Sequence, residues 1–86
     1  MITREEIRTK LLELAAMRAN TTTFCPSEVA RSLSADWRPL MPLVREEAAA
    51  LVDSGVLICT QRGQIVHPLS ARGAIRLARC PKDSGS

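Results

Sequence analysis

The side chains in this sequence with the clearest capacity for recognition are arginines. Arg38 and Arg45 lie seven residues apart in a helix-patterned segment, and Arg62, Arg72, Arg76 and Arg79 follow in the last third of the chain. Clustered guanidinium groups bind phosphate or carboxylate and need no reaction to do so. Groups for other chemistry are sparse. His67 is the only histidine; it precedes Pro68 and has no serine or cysteine in a recognisable nucleophile motif beside it. Cys25, Cys59 and Cys80 are odd in number and widely spaced, which is no disulfide framework. With His67 they total four zinc ligands, but structural zinc sites bring ligands in close pairs such as C-x-x-C, and no such pair occurs. Cys25 stands at a helix N-terminus, a position that suits a reactive thiol, yet no base can be named as its partner. We expect no enzyme, no metal and no cofactor.

Charge is distributed unevenly. Residues 1–54 carry seven basic and eight acidic side chains, a net of −1, whereas residues 55–86 carry five basic ones, Lys82 included, against Asp83 alone, a net of +4. A polyanion would be drawn to the second part. No apolar run approaches the ~20 residues of a membrane span. The acidic, helical start does not fit a signal peptide, so a cytoplasmic protein is expected.

The elements that position these groups are legible in outline. Thr3 and Glu6 have capping-box spacing with Ile2 and Ile7 as a staple, and Ile7, Leu11, Leu14 and Ala15 share the face of a first helix. Glu6 and Lys10 are spaced to pair on its outside. Asn20 and the run Thr21 to Thr23 end it, and Thr23-Phe24 has room for a very short strand. Cys25-Pro26 opens a second helix, with Glu28 in its first turn. After the tight turn Ser34-Ala35-Asp36, residues Trp37 to Met41 read as a 3₁₀ lead-in broken by prolines. The third helix then gathers Leu40, Leu43, Val44, Ala48, Leu51 and Val52 on a core face, with Arg38, Met41, Arg45, Ala49 and Asp53 toward the other side. Gly55 stops it by taking a left-handed conformation. A hairpin follows: Val56 to Gln61, a turn at Arg62-Gly63, and a return over Gln64 to His67. Leu57 and Cys59 are expected to face inward, with Val56 and Ile58 outward. Ile75 and Leu77, alternating with Arg76, suggest a further short extended segment.

Helix, short strand, helix, turn, helix and hairpin is the order of a winged helix-turn-helix: an α+β fold with three helices plus a C-terminal β-hairpin wing. It is read as one domain over residues 1–80 with a flexible tail over 81–86. The stretches Cys25-Pro-Ser-Glu-Val-Ala30, Trp37-Arg-Pro-Leu-Met-Pro42 with Val44-Arg45, Thr60-Gln-Arg-Gly63 and Arg72-Gly-Ala-Ile-Arg-Leu77 resemble a small bacterial family known as domain of unknown function 3253. The resemblance implies a winged-helix-like fold and no particular activity. The chain departs from that pattern at His67 and at Ala74.

Two functions fit. The first is weak, non-specific binding of double-stranded DNA by the wing and basic tail, with Arg38, Arg45, Arg62, Arg72, Arg76 and Arg79 as contacts. Glu46, Glu47 and Asp53 make the third helix net negative and argue against base reading by it. The alternative is a protein–protein interaction module, a homodimer, using Val56, Ile58 and an open hairpin edge. A small-anion pocket formed by Arg38, Arg45, Arg72 and Arg76 is a further reading. Trp37 either stacks on a ligand or plugs the start of the third helix against the core.

Overall fold

Helix α1 (Arg4–Arg18) begins where its capping residues place it. The Thr3 N–H donates to the Glu6 carboxylate at 2.9 Å and the Glu6 N–H donates to Thr3 Oγ1 at 3.1 Å, which satisfies two backbone donors that the first turn leaves unpaired. The expected Glu6–Lys10 pair does not form. Glu6 is occupied by the cap, and Lys10 pairs with Glu13 at 2.9 Å. The computed structural model describes residues 2–18 and 23–80. The expected helix end at Asn20 to Thr22 and the tail 81–86 lie outside them.

Helix α2 (Pro26–Leu33) has Cys25 at its cap and Pro26 in its first turn. The Glu28 carboxylate accepts from the Cys25 N–H at 3.2 Å and from Arg18 at 2.9 Å. Partial burial opposes ionisation of Glu28. The hydrogen bonds from Arg18 and Cys25, with the charges of Arg18 and Arg76, outweigh it and hold the carboxyl below its ordinary value. A 3₁₀ turn (Arg38–Leu40) leads into α3 (Met41–Asp53), as the prolines at 39 and 42 require.

The reversal after α3 is a Schellman motif. Gly55 has φ of +83°; its N–H donates to Val52 O at 3.0 Å and the Val56 N–H donates to Leu51 O at 2.9 Å. The chain then doubles back as β1 (Leu57–Gln61), β2 (Gln64–Ile65) and, after a loop, β3 (Arg76–Arg79). The sheet is antiparallel in the order β2-β1-β3. The domain is therefore α+β, with three helices and a three-stranded sheet. Two details differ from expectation. The return strand ends at Ile65, because the chain turns at His67, whose carbonyl accepts from both Ser70 and Ala71, and Pro68 has no N–H to donate. The suggested extended segment is a full partner strand, with Ile58 opposite Ala78 and Cys59 opposite Leu77.

Leu57 and Cys59 do face inward, at 1% and 0% exposure. They meet Ile7 and Leu11 of α1, Val29 of α2, and Val44 and Ala48 of α3. Phe24 sits in this core as a single bridge to Leu77, with both backbone hydrogen bonds made. Each fully buried side chain of this size contributes about 1.5–3 kcal/mol relative to exposure. Burial also raises the Cys59 thiol pKa, against a smaller opposing effect of the Arg45 charge.

No atom lies within 4 Å of a Cβ placed on Gly55, so substitution there tests backbone conformation alone. Gly55→Ala should lower stability by about 1 kcal/mol in urea denaturation, and Gly55→Asn by less. Equal stability of all three proteins would remove the left-handed reversal.

Candidate nucleic-acid interface

The hairpin tip is a two-residue turn in which both central residues have positive φ, +54° at Arg62 and +82° at Gly63, with Gln61 paired to Gln64. This is the type I′ geometry that matches strand twist, and Asn, Asp or Gly ordinarily occupies its first position. A large cation there costs backbone strain.

The loop between β2 and β3 is tied down from two sides. The Arg45 guanidinium on α3 donates to Pro68 O at 3.1 Å, to Ala71 O at 3.0 Å and to Gly73 O. Gln61 Nε2, next to the tip, donates to Arg72 O and to Ala74 O at 3.1 Å. Asp53 and His67 close the far end at 3.2 Å. Much of the side of α3 expected to face outward is thus covered by the chain itself. Met41 packs against the core, Arg45 lies beneath the loop, and Ala49 is buried. The stripe that remains open carries Pro42, Glu46, Ala50 and Asp53.

Each predicted arginine can now be placed. Arg45 is turned to its own carbonyls. Arg76 donates to Thr23 Oγ1 at 2.7 Å and to Thr23 O at 3.2 Å, anchoring β3 to the segment before α2. Arg62 is at the tip, and the Gln61 amide holds the backbone carbonyl of Arg72. Arg79 lies opposite Leu57, at the other end of the sheet. Arg38 rests on Trp37, its guanidinium carbon 4.6 Å from the ring centroid. Among the described residues Arg38, Arg62, Arg72 and Arg79 form no ion pair.

The carboxylates of Glu46 and Glu47 meet cations of α1. Arg4 pairs with Glu46 and, at 2.9 Å, with Glu47; Arg8 reaches Glu47 at 3.4 Å. The two carboxylates also raise the Arg4 pKa, its hydrogen bond to Glu46 most of all. Of the acids expected to leave α3 with free negative charge, Glu46 and Glu47 are therefore paired with α1, whereas Asp53 meets only the His67 ring. Sequence reasoning missed Gln61 as a clamp and Arg31 as a second arginine on Trp37, 4.7 Å from the ring centroid. The available signal for Arg31 was the three-residue turn 34–36, which folds the end of α2 back toward Trp37.

The four stretches that carry the family resemblance lie at the α2 cap, at the start of α3, in the hairpin turn and along the clamped loop into β3. The last three meet around Arg45 and Gln61. The chain belongs to the DUF3253 family, proteins of unknown function, whose sequence profile spans residues 4–80. No curated protein matches it. No helix among the described residues is long and apolar enough to cross a membrane, and no three or more His, Cys, Asp or Glu side chains among them are grouped to hold a metal ion.

Arg45→Ala strips three carbonyls of a charged donor and should lower stability by about 2 kcal/mol. Amide exchange across residues 67–74 should quicken more than exchange in α1. Arg45→Lys should recover less than half of the loss, because an ammonium group lacks the planar fork. Wild-type unfolding and exchange in the alanine variant would show that the clamp holds nothing.

Proposed function

We propose that this chain is a winged-helix-like domain that binds duplex DNA by its phosphate backbone, weakly and with little sequence preference. In this reading α2 and α3 form the helix-turn-helix pair and β1–β2 is the wing. The observation that carries it is a strained, exposed Arg62 at the hairpin tip, next to Gln61, whose amide holds the backbone carbonyl of a second exposed arginine, Arg72. Backbone strain at an exposed cation is retained where the side chain has work at that position. The open stripe of α3 carries two carboxylates and no cation, which favours backbone contact over reading of base edges.

Affinity for a labelled duplex should fall steeply between ~50 and ~200 mM salt, with a log–log slope of about −0.9 for each phosphate contacted. Arg62→Asn should stabilise the fold by about 1 kcal/mol, because asparagine tolerates the left-handed turn. The same substitution should take about 1 off the salt slope. A protein that binds no duplex at ~50 mM salt would end this reading.

A second reading is favoured by one feature of the sheet. Ile65 is 80% exposed on a two-residue edge strand, on the same face as the partly exposed Val56. Edge and patch together suit pairing with a second copy as a homodimer. Sedimentation over rising protein concentration should then show association, and a strict monomer dismisses it.

A further inference from the structure

Two arginines from different elements converge on one indole. Arg31 comes from the last turn of α2 and Arg38 from the 3₁₀ turn before α3, and their guanidinium carbons lie 4.7 and 4.6 Å from the Trp37 ring centroid. Trp37 is half-buried and packs against the core, so its position is set by the fold. Both arginines are exposed. Among the described residues neither pairs with a carboxylate, and Asp36, adjacent to Trp37 in the chain, pairs with neither.

The guanidinium carbons can be at most ~9 Å apart, since each lies within 5 Å of the same centroid. Two cations at this range repel, and the electron-rich ring offsets part of that repulsion. A stacked arginine has also given up rotamers it would otherwise lose on binding, so its contact with an anion costs less ordering. The pair is thus an oriented double cation lacking an anion. The face of the ring against each guanidinium is occupied, which disfavours stacking of a nucleobase and leaves phosphate as the matching group.

We propose that Arg31 and Arg38, held by Trp37, form a second phosphate-contact site for a nucleic-acid strand; the identity of the ligand rests on the DNA-binding reading above. Arg38 precedes Arg45 by seven residues, about two helical turns or ~10–12 Å, and Arg45 holds the loop that carries Arg72. The two arginine groups therefore lie toward the same end of α3, where one backbone can track both. The contact supplies affinity without base preference, because nothing in it faces a base edge.

Trp37 is the only tryptophan and the chain has no tyrosine, so intrinsic emission reports on this cluster alone. Full-length protein is titrated with an unlabelled duplex, and separately with inorganic pyrophosphate, at ~50 mM salt. The expected result is a saturable change in Trp37 emission with both probes, reversed by salt. In the Arg31→Gln/Arg38→Gln variant, with folding checked by its thermal transition, duplex affinity should fall about 5- to 20-fold and the log–log salt slope should shrink by about 1.8. If the duplex binds and Arg62→Asn weakens it while emission and the double variant are unaffected, the fork is overturned and the hairpin reading stands. If no duplex binds but pyrophosphate shifts emission in the wild type and not in the variant, the DNA reading falls and the phosphate site stands. If neither probe shifts emission and no duplex binds, both are overturned.

Discussion

One guanidinium ties the loop after β2 to α3. The loop after β2 turns three carbonyls, of Pro68, Ala71 and Gly73, toward α3, and Arg45 donates to all of them. Carbonyls turned away from water need donors, and a planar cation with several N–H groups serves three where an apolar side chain serves none. The consequences extend past the loop itself. Its position closes one side of α3, sets the backbone of Arg72 against Gln61, and delivers the chain to Ile75, which is 1% exposed in the core just before β3. The Gln61 amide secures the same loop from the opposite side.

The division of charge follows from packing. Glu47 is 5% exposed against α1, and a carboxylate taken out of water destabilises the fold unless cations accompany it. Arg4 and Arg8 supply them from the surface, so these arginines of α1 are engaged by the fold's own carboxylates. Arg18 is likewise engaged with Glu28 and Thr23. Of the arginines without carboxylate partners among the described residues, Arg45 and Arg76 are held by neutral oxygens of the fold, and the others lie at the α2–α3 turn, the hairpin tip, the clamped loop and the end of β3. The net charge of +3 therefore understates the field at these places and overstates it beside α1.

Features governed by near neighbours are legible in the residues themselves. The Thr3–Glu6 cap, the proline-broken 3₁₀ turn, the stop at Gly55, the turn at Arg62-Gly63 and the inward register of Leu57 and Cys59 each depend on residues within about one turn or one strand. The expectations that fail involve competition between alternative partners, near or distant. Glu6 is drawn from Lys10 by its own cap, while Arg45 and Ala49 are covered because a loop beginning only after β2 folds back over α3. The return strand stops early because the turn at His67 and Pro68 redirects the chain toward that same loop.

The sequence by itself determined the local conformations and the sign of charge in each half, because dihedral preference, capping and side-chain alternation act over a few residues. Tertiary structure alone decided which arginines face solvent and which are taken up by the fold. Arg45 and Arg62 are the same amino acid, and no periodicity separates their roles. What does is whether three backbone carbonyls from elsewhere in the chain arrive within reach, and that depends on packing between segments far apart in the chain.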